Sequence, residues 1–171
     1  MKHDLRYGGT FIEDNKEYEA IMASVKESIK TGNWQTGLQA KKMEAESSKF
    51  LGVKYGILTT SGSCAGLLAL SALELRNGDE VVISAVTFPT IFNIILQCGL
   101  VPVVVDAKVG TYGFSIEDVE KAITPKTRAI IAIHPLGNPV DMPKLMKMVR
   151  RKEKELSVDY DFGGSFNSKK Q

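Results

Sequence analysis

Thr59-Thr60-Ser61-Gly62-Ser63-Cys64-Ala65-Gly66 stands between a β-like run, Tyr55-Gly56-Ile57-Leu58, and a helix-like run, Leu67 to Leu75. A strand that turns through small residues into a helix leaves backbone N–H groups free at the helix start. Together with the positive end of the helix dipole they form an anion site, which suits phosphate above all. The hydroxyls of Ser61 and Ser63 can add donors, and Gly62 lets the backbone approach a ligand closely. The same residues also fit a plain N-cap.

Toward the N-terminus, Asp14 and Glu17 read as a capping box. Behind it Tyr18, Ile21, Met22, Val25 and Ile29 recur at helical spacing. Gly32 ends that helix, Gly32 to Gly37 is a loop, and a second helix runs from about Gln39 to Leu51 and stops at Gly52. Toward the C-terminus, strand-like and helix-like segments alternate. The strands expected are Tyr55–Thr60, Glu80–Ser84, Val101–Asp106, Ala129–Ile133 and Leu156–Asp159. The helices expected are Ala65–Leu75, Thr90–Cys98, Ile116–Ile123 (capped by Ser115 with Asp118) and Pro143–Glu155. This alternation predicts an α/β fold in three layers, a mostly parallel sheet covered by helices on both faces.

The chain has 171 residues, enough for one domain with a substantial core. With 22 basic and 20 acidic residues the net charge is +2, which argues against a nucleic-acid partner. The cluster Arg150-Arg151-Lys152 is followed by Glu153 and Glu155 and reads as a solvated helix face. The two cysteines, Cys64 and Cys98, lack metal-ligand spacing, and with no signal peptide in view they fit a reducing, cytoplasmic setting. Cys64 reads as a small buried hydrophobe. Apolar runs are interrupted within a few residues, so no membrane span is expected.

In open α/β sheets, ligands bind beyond the carboxyl ends of the strands. The expected strands would bring the Ser61–Cys64 loop, Phe88, His134 and Asp159 to that edge. A phosphate cup, an aromatic face and a carboxylate able to hold a ring nitrogen protonated suit a flat, phosphorylated, nitrogen-containing ring, the chemistry of pyridoxal phosphate. Each member has a plainer reading. Phe88 before Pro89 fits a core aromatic in an extended turn, His134 a core histidine bonded to backbone, and Asp159 a turn cap. Asp161-Phe162-Gly163 matches a kinase magnesium tripeptide, but no kinase Gly-rich or catalytic-loop motif precedes it.

In their order along the chain these segments resemble the DegT/DnrJ/EryC1/StrS sugar aminotransferases, a family of fold-type-I pyridoxal-phosphate enzymes. The residues that carry the resemblance are Gly32-Asn33-Trp34-Gln35-Thr36-Gly37, Phe50-Leu51-Gly52-Val53, Thr60-Ser61-Gly62-Ser63, Gly78-Asp79-Glu80-Val81, Thr87-Phe88, Gly99 to Asp106, and Ile116 through Thr127. Phe88-Pro89-Thr90, Asn93 to Gln97 and His134 to Pro139 are similar to the 3-dehydratases of CDP-4-keto-6-deoxyhexoses, which use pyridoxamine phosphate in lipopolysaccharide biosynthesis.

The resemblance implies that Gly62, Ser63 and Cys64 hold the cofactor phosphate, that Phe88 stacks on its ring and that Asp159 pairs with the ring nitrogen. Trp34 and Thr36 would approach a nucleotide-sugar substrate, and His134 and Asn138 would face the site. It implies a helical arm and substrate loop over residues 1–36, and part of the cofactor-binding large domain over 37–171. The family runs on to a lysine, or a histidine in the dehydratases, that this chain does not match; Lys169 and Lys170 come too early. The expectations are therefore a homodimer or a separately encoded C-terminal half, with a non-catalytic interaction module as the alternative. Val158 to Gly164 departs from the family pattern, which leaves Asp161 open as the ring partner in place of Asp159.

Overall fold

Residues 59–156 build a parallel sheet from short strands with strong β formers. A computed structural model describes residues 15–32 and 37–156, and the chain divides into two compact units, Met1–Leu58 and Thr59–Gln171.

In the first unit, α1 spans Asn15–Thr31 and α2 spans Leu38–Leu51. Gly32 and Gly52 hold φ of +67° and +66°, the left-handed caps that stop each helix. At Gly52 the Val53 N–H reaches back to the Ser48 carbonyl at 3.0 Å, closing the turn. The run Tyr55–Leu58 is not a strand. A strand exists through its neighbours' hydrogen bonds, and among the described residues no strand pairs with this run. It lies instead along α2, where the Leu58 N–H donates to Glu44 Oε1 at 2.9 Å. A Cβ on Gly56 would stand 2.8 Å from the Glu44 carbonyl oxygen, so glycine permits this approach.

In the second unit, α3 is Gly62–Ala72, β1 Glu80–Ser84, α4 Thr90–Gln97, β2 Val101–Val105, α5 Ile116–Ala122, β3 Thr127–Ile131 and α6 Met142–Glu155. The strands lie parallel in the order β2-β1-β3. Side chains alternate across the sheet. Val82 joins Val105, Val119, Leu145 and Met148 on the face covered by α5 and α6. Val81 and Ile83 join Leu70, Ile94 and Ile95 on the face covered by α3 and α4. The expected three-layer α/β architecture is present. β3 begins earlier than expected because Thr127 is anchored: its hydroxyl donates to Glu80 Oε2 at 3.2 Å and accepts from the Thr124 N–H at 2.9 Å. Leu156 is not a strand residue but the cap of α6, with its N–H on the Lys152 carbonyl; the rest of the expected last strand lies outside the described residues. So does Asp14 of the first capping box.

Candidate functional site

β1 sends the chain into α4 on one face, and its neighbour β3 sends it into α6 on the other. A crevice opens between two such strands at their carboxyl ends, where ligands of α/β sheets bind. Phe88 follows β1 and His134 follows β3, so the two flank this point.

Ser61 caps α3. Its backbone is extended (φ −164°, ψ 163°), and its hydroxyl accepts from the Cys64 N–H at 3.2 Å. The plain N-cap reading therefore holds for Ser61. It does not use up the helix start, because the N–H groups of Gly62 and Ser63 have no hydrogen-bond partner among the described residues. Thr59 steadies the loop by donating its hydroxyl to the Ser61 carbonyl at 2.9 Å. Ser63 Oγ donates to Thr90 Oγ1 at 3.2 Å, which ties the start of α3 to the start of α4. The helices meet closely at Gly66, where a Cβ would stand 2.6 Å from Ile94 Cδ1.

Phe88 lies two residues before Thr90, at the same end of the sheet, and is 72% exposed. It is not a core aromatic, and its ring is open to a ligand. Next to it Thr87 Oγ1 is buried without a hydrogen-bond partner among the described residues. Cys64 is exposed, contrary to the expectation of a buried thiol, because it sits on the first turn of α3 and not on the core side. Hydrogen bonding with Ser61, then with Thr60, holds its thiol below the ordinary range.

His134 is exposed, and its Nδ1 accepts from the Val140 N–H at 3.1 Å, which leaves the Nε2 edge outward. The histidine is bonded to backbone as its plainer reading has it, but it is exposed at the sheet edge and not in the core. The following Leu136 holds φ of +52°, left-handed strain in a side-chain-bearing residue that is 84% exposed. Asn138 is drawn to the other face: its Nδ2 donates to the Thr111 carbonyl at 3.1 Å, beside α5 and α6. There Glu117, hydrogen-bonded first of all by Lys144, is held down to about 2. The structure thus brings Gly62, Ser63, Cys64 and Phe88 to one end of the sheet with His134 following the adjacent strand, and engages Asn138 elsewhere. Trp34, Thr36, Asp159 and Asp161 lie outside the described residues. Thr87 and Thr90 join the site from its walls. Thr87-Phe88-Pro89-Thr90, with two residues between it and the end of β1, was their only trace in the sequence.

Among the described residues no helix is long and apolar enough to cross a membrane, and no group of three or more His, Cys, Asp or Glu is placed to hold a metal ion.

Comparison with known proteins matches residues 15–166 to the DegT/DnrJ/EryC1/StrS aminotransferase family. A dTDP-4-dehydro-2,6-dideoxy-D-glucose 3-dehydratase of Saccharopolyspora spinosa is 36% identical over 163 residues, 91% of this chain and 34% of the relative. The solved E. coli GDP-4-keto-6-deoxy-D-mannose-3-dehydratase with bound hydrated PLP is 31% identical with a TM-score of 0.73, over 82% of this chain and 37% of that one. Spr1654 of Streptococcus pneumoniae, in its PMP form, is 30% identical with a TM-score of 0.75, over 80% and 34%. The chain spans about a third of the length of such relatives.

Proposed function

For a chain that belongs to the DegT/DnrJ/EryC1/StrS aminotransferase family, we propose binding of pyridoxal or pyridoxamine 5'-phosphate where α3 and α4 begin. The enzyme it forms part of would modify a nucleotide sugar, by 3-dehydration or transamination of a 4-keto-6-deoxy sugar, in deoxysugar or lipopolysaccharide biosynthesis. One observation carries the reading. The N–H groups of Gly62 and Ser63, without partners among the described residues, open an 11-residue helix tied through Ser63 to Thr90, two residues after the exposed Phe88, at the switch point of the sheet.

The residues present fit the group. The Gly62 and Ser63 N–H groups would hold the phosphate, with Cys64 on the same turn. Phe88 would cover one ring face. Beside it, Thr87 Oγ1 is buried without a hydrogen-bond partner among the described residues, the kind of group a ligand could satisfy. A carboxylate from Asp159 or Asp161 would hold the ring nitrogen protonated, so that the bound ring serves as an electron sink. The Nε2 edge of His134 would face the sugar, and Trp34 and Thr36 complete the substrate assignment. A second copy of the chain, or a chain carrying the remainder of the enzyme, is the partner this reading implies.

Absorbance titration with pyridoxal phosphate tests the site. Binding should require the phosphate: pyridoxal itself should bind at least tenfold more weakly. Ser63→Asp puts an anion where the phosphate sits and should abolish binding. Binding indifferent to that substitution would sink the assignment.

A further inference from the structure

Ser63 and Thr90 face one another across the starts of α3 and α4, a half-buried pair in which Ser63 Oγ donates to Thr90 Oγ1 at 3.2 Å. Helix packing holds them there. One turn further in, Gly66 of α3 meets Ile94 of α4 so closely that a Cβ on the glycine would stand 2.6 Å from Ile94 Cδ1. Residues three or four apart share a helix face, so Ser63 with Gly66 and Thr90 with Ile94 form the two sides of one seam. Each hydroxyl carries one proton and two lone pairs. Ser63 gives its proton to Thr90, whereas the Thr90 proton meets no acceptor among the described residues. The pair therefore holds one uncommitted proton, next to the partnerless N–H groups of Gly62 and Ser63.

We propose that Thr90 is a positioning residue for the cofactor phosphate and acts through Ser63; this rests on the pyridoxal-phosphate reading above. A phosphate ester above its second pKa of about 6 offers acceptors only. Seated on the Ser63 N–H, it calls on the hydroxyl of the same residue for a donor. Ser63 can supply one only by turning its single proton away from Thr90. The uncommitted Thr90 proton then turns to the Ser63 oxygen. The hydrogen bond between them reverses, Thr90 donating and Ser63 accepting, while the seam at Gly66 and Ile94 keeps both oxygens in place. No proton changes owner and no covalent bond is made or broken. Two consequences follow for binding. A hydroxyl that accepts a hydrogen bond donates a stronger one, so Thr90 polarises Ser63 toward the anion. The pair also holds Ser63 in one rotamer before and after binding, so the donor is already placed when the phosphate arrives.

Calorimetric titration of the full chain with pyridoxamine 5'-phosphate and with pyridoxamine, at about pH 8 where the phosphate is doubly charged, tests this. Thr90→Val keeps the shape and removes the proton. It should weaken the phosphorylated compound about fivefold and leave pyridoxamine within about twofold, so that the preference for phosphate falls. Thr90→Ser, which keeps the proton, should recover most of the loss. In a Ser63→Ala background, Thr90→Val should have no further effect. Should Thr90→Val fail to fold, Thr90→Ala takes its place. Equal weakening of both compounds would make Thr90 a structural tie for α4 and for Phe88 just before it, and would overturn the proposal. An effect that survives Ser63→Ala would put Thr90 on the phosphate itself and overturn it too, as would a silent Thr90 variant. Failure of the underlying reading looks different. The unsubstituted chain would then show no preference for the phosphorylated compound, or Ser63→Asp would keep that preference, and either result removes the role of Thr90 with it.

Discussion

Val81, Val82 and Ile83 in β1 are fully buried, whereas Tyr18, Ile21, Val25 and Ile29, the apolar stripe of α1, are each 43–54% exposed. Neither α1 nor α2 contains a buried residue. Both regions carry regular apolar patterns. A central strand is covered on two faces and paired on two edges, so its pattern is satisfied from every side. A helical stripe specifies only which way a helix faces, and burial needs a second surface. Apolar periodicity thus identifies an element without saying how much stability it contributes.

The sharpest way to break this contrast is to truncate matched residues. Ile83→Ala should cost about 2–5 kcal/mol in chemical denaturation, the range for a closed core site. Ile21→Ala should cost roughly 0.5 kcal/mol or less, as exposed substitutions do. Equal costs would mean that α1 is covered in solution.

Glycine substitutions come next. Gly99 holds φ of +71°, and an added Cβ would fall 2.2 Å from Asn77 Oδ1, while Gly32 holds φ of +67° with open space around it. Gly99→Ala combines strain with a clash and should lose about 1–3 kcal/mol, against roughly 1 kcal/mol for Gly32→Ala. Thermal melts of the two variants would separate the clash from the backbone strain they share.

Removing the cap with Ser61→Ala should cost about 1 kcal/mol, since the Cys64 N–H loses its acceptor. The same variant should keep phosphate-dependent cofactor binding, because the Gly62 and Ser63 N–H groups are untouched.

The smallest effect is electrostatic. Glu117 is held down to about 2 by Lys144, its own backbone N–H and Ser115. A carboxylate depressed in the folded state stabilises above its unfolded pKa, and that contribution is lost as pH falls. Here the window runs from the ordinary value of 4.5 down to about 2. Lys144 is raised by the same partner, so its share is present below its ordinary value and is lost only as alkaline pH rises through the raised one. Glu117→Gln should flatten the fall in melting temperature across the acid window. Both groups are exposed, so the change should be slight.

Much of the candidate site could be read from order along the chain. Ser61-Gly62-Ser63 after a β-like run, and Phe88 after Glu80–Ser84, are local patterns, and helix starts and strand ends are local events. Thr90 beside Ser63 was not legible, because that contact joins two helices 27 residues apart in sequence. Asn138 shows the reverse. Its motif suggested the site, but the Thr111 carbonyl holds it at α5 and α6.

The sequence by itself determined where the helices lie to within a few residues, the alternation of strand and helix from Glu80 to Glu155, and the family, since capping residues, glycines and period-two runs act over a few positions. Only the tertiary structure decided that Tyr55–Leu58 is no strand, that Leu156 is a cap, that Cys64 and Phe88 are exposed, and that β1 lies at the centre. Those outcomes depend on which distant backbone groups and surfaces are there to pair with, and no local pattern encodes a partner.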